Sequence, residues 1–123
     1  MNPTEEIGML GYAIKVAGLE ARNLVLPQSH HLIVGAMRFH YLDWGGNGHP
    51  ILFLHGGGLN AHTWDVVALM MHERFRCIAV DYPGFGLSDR PADYRYTPRG
   101  HADVVGELVA EVDLSEMLVM GHD

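Results

Sequence analysis

One cysteine and one lysine, Cys77 and Lys15, occur in 123 residues. A lone cysteine excludes an internal disulfide framework and gives no reason to assume an oxidising compartment, so a cytoplasmic setting is expected. The eight basic residues form no cluster and the formal charge is −7, which leaves no electrostatic footprint for a phosphate backbone; nucleic acid is not expected as a partner. Long apolar runs are missing too. The first stretch carries Glu5 and Glu6 where a signal peptide carries positive charge, and Gly8, Gly11 and Lys15 interrupt its apolar residues, so no membrane contact is expected. Residues 1–21 are read as a short amphipathic helix or a loose arm. No phosphate-cradling Gly-x-x-x-x-Gly-Lys-Ser/Thr occurs and no Gly-x-Gly-x-x-Gly follows a strand pattern, which argues against a nucleotide-binding domain.

What is present suits a packed domain. Hydrophobic residues make up 48% of the chain, and no repeat or low-complexity tract divides residues 22–123. Met37 to Gly45 alternates as a half-buried strand does, and a glycine-rich turn follows. "ILFLHGGG" is a short apolar run ending in glycines and "FRCIAVD" (Phe75 to Asp81) is another buried-strand run, both of the kind buried on two faces of a parallel sheet. Between Asn60 and Arg74, residues Trp64, Val67, Ala68 and Met71 keep helical spacing, with Asn60 or Thr63 available as a cap. Thr97 and Pro98 look like an N-cap and first helical residue, ahead of a face made by Val105, Leu108, Val109 and Val112. "MLVMG" closes the series as a further strand. The order predicts an α/β fold: a mostly parallel open sheet flanked by helices, with the functional loops at the carboxyl ends of the strands.

Three strand ends carry unusual residues: His55-Gly56-Gly57-Gly58, "DYPGFGLSD" (Asp81 to Asp89), and Gly121-His122-Asp123. Together, in this order, they resemble the α/β-hydrolase superfamily from about Met37 to the end of the chain. The resemblance implies the N-terminal part of that fold, truncated at the nucleophile elbow. Gly57 and Gly58 would then offer backbone N–H groups to a developing oxyanion, with His55 and Gly56 supporting the motif. Asp81 and the glycines after it would organise a scaffold loop; Ser88 lies outside a Gly-x-Ser-x-Gly setting, and Asp89 with Arg90 reads as a solvated pair.

Asp123 falls on the nucleophile position of an elbow whose first small residue is Gly121, with His122 between them. Aspartate there resembles epoxide hydrolases and haloalkane or haloacetate dehalogenases. A carboxylate attacks an sp³ carbon without first needing a base, whereas serine needs a histidine. The competing reading is that Asp123 is only a helix-capping residue. "HGGG" with "DYPGFGLSD" also resembles serine-using esterases and carbon–carbon hydrolases, which leaves open a relative in which Asp replaced Ser and catalysis was lost. The expected partner is a small-molecule substrate; no cofactor and no metal is implied. His30, His31, His62, His72 and His101 show no metal-ligand spacing and are expected at surface or hydrogen-bonded positions. The 123 residues alone are expected not to complete a turnover, and "MLVMG" is expected to form an apolar sheet edge prone to self-association.

Overall fold

The computed structural model describes residues 2–19 and 24–123, so the expected boundary between residues 21 and 22 lies outside the described residues. Helix α1 (Pro3–Val16) opens with proline in its first turn and a reciprocal capping box: the Asn2 side chain accepts from the Glu5 N–H at 2.9 Å, and the Glu5 carboxylate accepts from the Asn2 N–H at 3.1 Å. The N-terminal stretch is therefore a helix, with Ile14 as its buried residue.

Five strands follow: β1 (Gln28–Val34), β2 (Met37–Gly45), β3 (His49–Leu54), β4 (Phe75–Val80) and β5 (Leu118–Gly121). They form one sheet in the order β1-β2-β4-β3-β5. The sheet is open and flanked by helices, as expected, with an antiparallel β1–β2 hairpin beside its parallel strands. β2 runs antiparallel to both β1 and β4, while β3 is parallel to β4 and β5. The cause is local: Gly35 and Ala36 are the only residues between β1 and β2, and a two-residue link can join only antiparallel strands.

The apolar runs are buried on both faces. Ile51 and Phe53 of β3, with Cys77 and Ala79 of β4, pack on one side against Trp64 and Ala68. Leu52, Ile78 and Val80 pack on the other side against Val104 and Leu108 of α3 (Pro98–Val112). The stretch expected as one helix from Asn60 is a 3-10 turn (Ala61–Trp64), capped by the Asn60 side chain, leading into α2 (Asp65–Met71). Thr97 caps α3 as expected, accepting from the Gly100 N–H at 3.1 Å. Burial of the Cys77 thiol pushes its pKa up to about 11, so it is a packing residue and not a reactive one.

Candidate active site

The register Phe53↔Ala79 and Leu54↔Gly121 ends three parallel strands at one level. His55, Asp81 and His122 leave the sheet side by side. Gly56 is required to be glycine: a Cβ there would lie 2.8 Å from Asp123 Cα and 3.0 Å from the His122 carbonyl oxygen. The His122 ring packs on Trp64 with centroids 4.8 Å apart. Gly121, His122 and Asp123 are thus brought against the His55–Gly58 loop from more than sixty residues away in sequence, and the Asp123 side chain is exposed. Leu59 N–H donates to the Gly56 carbonyl at 3.2 Å, closing a turn with Gly57 and Gly58 at its centre. Among the described residues, the N–H groups of Gly57 and Gly58 donate to nothing. His55 is buried, and both ring nitrogens are occupied: Nδ1–H donates to the Gly56 carbonyl at 2.8 Å, and Nε2 accepts from the Tyr82 N–H at 3.1 Å. It ties the two loops together and has no nitrogen left for proton transfer.

The loop after β4 uses its polar groups differently. Asp81 Oδ1 accepts from the Ala61 N–H at 2.7 Å, and Oδ2 accepts from the Leu87 N–H at 2.9 Å and from His40 Nδ1 at 2.7 Å. Burial pushes the Asp81 carboxyl up, but these hydrogen bonds and the His40 charge together outweigh it and hold the group below its ordinary range. Gly86 must lack a side chain, since a Cβ there would stand 2.2 Å from that carboxylate. Ser88 Oγ accepts from the His40 N–H at 2.8 Å and donates to the Asp81 carbonyl at 2.6 Å, a scaffold role. Asp89 is not half of a solvated pair with Arg90. Its carboxylate accepts from the Arg38 N–H at 2.7 Å, and Arg90 donates to the Gly86 carbonyl at 3.4 Å. The loop is stitched to β2, so the nearest polar partner of Asp89 is backbone and not its charged neighbour.

His40 is the residue that motif reading overlooks. It shares an inward stripe of β2 with Leu42 and Trp44 and is fully buried. That stripe was its signal, because an imidazole buried among apolar residues needs a polar partner somewhere in the fold. The remaining histidines fall mostly as expected. His62 is held by Asp65 at 3.0 Å, and that hydrogen bond raises its pKa against the lowering effect of partial burial. His101 Nδ1 and the Tyr94 hydroxyl share a hydrogen bond at 2.9 Å, and burial lowers the His101 pKa. His30 stacks on Tyr41 and His31 lies against His40. His72 departs from the expectation: its buried Nε2 has no hydrogen-bond partner among the described residues. Among the described residues, no group of three or more histidine, cysteine or acidic side chains is placed to hold a metal ion, and no helix is long and apolar enough to cross a membrane.

Residues 49–123 match the family model for the alpha/beta hydrolase fold. The chain belongs to this family. Within it, the chain is 43% identical over 86 residues to haloalkane dehalogenase 2 of Mycobacterium tuberculosis, an alignment covering 70% of this chain and 30% of that protein. It is 34% identical over 117 residues to an esterase of the same organism, covering 95% of this chain and 37% of the esterase. It is 33% identical over 94 residues to the soluble epoxide hydrolase of a Corynebacterium species, covering 76% and 32%. This α/β-hydrolase chain therefore spans about a third of the length of the curated relatives it matches.

Proposed function

We propose that this α/β-hydrolase chain carries the nucleophile of an enzyme that hydrolyses a halogenated compound or an epoxide through a covalent alkyl ester on Asp123. One observation carries the reading: the Asp123 backbone rests on Gly56, in the loop whose Gly57 and Gly58 N–H groups are unused. An exposed carboxylate and spare oxyanion donors in one surface are the two things that displacement followed by ester hydrolysis requires. The similarity to a dehalogenase and an epoxide hydrolase supports the same chemistry.

In the first step an Asp123 carboxylate oxygen bonds to an sp³ carbon of the substrate, while the carbon–halogen bond or one epoxide carbon–oxygen bond breaks with its electron pair. In the second step water adds to the ester carbonyl, and the negative charge on the former carboxylate oxygen is stabilised by the Gly57 and Gly58 N–H groups. Collapse breaks the ester carbon–oxygen bond; the leaving oxygen takes up one proton of the water as the alcohol departs, and Asp123, left as the acid, ionises back to its carboxylate. His55 is excluded as the base for this water, since both its nitrogens are committed.

A panel of haloalkanes, epoxides and carboxylic esters, assayed with the full-length protein and its Asp123→Asn variant, tests the proposal. Turnover of a haloalkane or epoxide that the substitution abolishes supports it; an equal rate in the variant sinks it. The second reading is a relative of serine esterases in which aspartate replaced the nucleophile and catalysis was lost, favoured by the "HGGG" loop and the 34% identity to an esterase. Esterase activity gained by Asp123→Ser, with no activity in the parent, would decide for it. We further propose that the 123-residue chain by itself self-associates through β5, whose Leu118 and Val119 are 53% and 56% exposed at a sheet edge. A sharp monomer peak in sedimentation, with cooperative melting, would contradict this.

A further inference from the structure

Away from Asp123, a second group of chemistry-bearing side chains lies where β1, β2 and the end of β4 meet. Ser29 of β1 is exposed, and its Oγ lies 2.5 Å from His40 Nε2. His40 Nδ1 lies 2.7 Å from Asp81 Oδ2, and both of these residues are buried. Asp81 can only accept, so Nδ1 carries a hydrogen, and whenever Nε2 carries none it is the acceptor for the Ser29 hydroxyl. Hydroxyl to Nε2, then Nδ1–H to a buried carboxylate, is the hydrogen-bond order of a serine nucleophile, its general base and the acid that orients it. Two backbone N–H groups, from Ala61 and Leu87, fix that carboxylate in turn.

The surroundings fit a substrate. Ser29 lines a groove of about 680 Å³, within the range of small-ligand sites, whose walls include Leu26, Leu42 and Leu87. Among the described residues, His62 is the groove's one basic side chain, and Glu6 and Asp65 line it as well. The other serines differ. Ser88 has its hydroxyl committed to the Asp81 carbonyl, and Ser115 is exposed on the turn before β5.

We propose that Ser29, His40 and Asp81 form a second nucleophilic site, independent of Asp123, at which the Ser29 hydroxyl is acylated by activated carboxylic esters carrying an apolar acyl chain. Ser29 Oγ bonds to the ester carbonyl carbon as its proton passes to His40 Nε2. The bond from that carbon to the alkoxy oxygen breaks, and the leaving alkoxide takes the proton from His40. Water then attacks the acyl-serine, giving a proton to His40 Nε2, and the carboxylic acid departs as the Ser29 oxygen recovers its proton.

The test is to treat the protein with an alkyl fluorophosphonate, which loses fluoride as its phosphorus bonds to a histidine-activated serine oxygen, and to locate the adduct by peptide mass spectrometry. The expected result is an adduct on Ser29 that forms at least tenfold faster than any on exposed Ser115 and persists in Asp123→Asn. His40→Gln should slow Ser29 labelling to the Ser115 rate. Because His40 is buried and that variant can lose its fold, 4-nitrophenyl butyrate gives a second readout: a burst of nitrophenolate lost in Ser29→Ala, measured below the melting transition of that variant. Equal labelling of Ser29 and Ser115, or a burst that survives Ser29→Ala, would overturn the proposal and leave the three residues as a structural tie.

Discussion

The loops after β3 and after β4 leave neighbouring parallel strands at one end of the sheet, and both are rich in glycine, yet their polar groups go to opposite ends. In the loop after β4, Asp81 collects three hydrogen bonds, Ser88 makes two and Asp89 reaches back to β2. In the loop after β3, the N–H groups of Gly57 and Gly58 stay unused among the described residues, and Gly56 has given up its side-chain space to Asp123. A loop that spends all its hydrogen-bonding capacity internally is a brace. One that holds capacity back beside an exposed carboxylate is prepared for something that arrives later. The glycines differ accordingly: Gly86 makes room for a neighbour's fixed carboxylate, while Gly56 makes room for the residue proposed to react.

If this division is right, damage to the two loops should separate fold from activity. The largest effect on stability is expected from Asp81→Ala, which strands His40 and the Ala61 and Leu87 N–H groups in the interior; breaking such a buried pair costs about 3–5 kcal/mol, read as a drop in the urea midpoint. Next comes Gly56→Ala. Its new methyl would stand 2.8 Å from Asp123 Cα, so the full-length enzyme should lose about a hundredfold or more in turnover, the scale of a small misplacement of reacting groups, with a much smaller loss of stability than Asp81→Ala. Gly57→Ala is the paired control. No atom lies within 4 Å of the position its methyl would take, and the N–H is retained, so melting and turnover should both stay close to the parent. Equal damage from the two substitutions would remove the special standing of Gly56.

Acid sharpens the same contrast. Asp81 is held below its ordinary range when folded, so its contribution is complete above the unfolded value near 3.8 and is lost as pH falls through the lower folded value. Urea midpoints measured downward from about pH 5 should therefore fall for the parent more steeply than for Asp81→Asn, whose side chain cannot take up that proton. Parallel curves would mean that Asp81 is not the brace described.

Much of this was legible in the residues because it is local. β3 and β4 read as strands because Ile51 to Leu54 and Cys77 to Val80 are unbroken apolar runs, as burial on two faces demands, and α3 announces itself through Thr97 and Pro98. The three loop motifs could be placed at strand ends for the same reason. β1 was not read: it opens on polar residues and carries two histidines, although His30, Leu32 and Val34 keep the inward alternation of an edge strand. Missing β1 meant missing the hairpin that joins it to β2. The tie from Ser29 through His40 to Asp81 joins two strands and the loop after β4 across 52 positions, from residue 29 to residue 81, and only the apolar stripe around His40 hints at it. Asp89 and Arg90 show the converse error, since adjacency in sequence suggested a pair that the backbone of β2 had already claimed.

The most direct test of the central claim, a covalent ester on Asp123, is a single turnover of the full-length protein, in excess over a haloalkane or epoxide, in heavy-oxygen water. Water that attacks the ester carbonyl leaves its oxygen on the enzyme and not in the first product. The account predicts an alcohol or diol carrying no heavy oxygen from the solvent, and one heavy oxygen in the peptide that contains Asp123. Product labelled in that first turnover, with an unlabelled Asp123 peptide, would mean that water attacked the substrate directly and would contradict it.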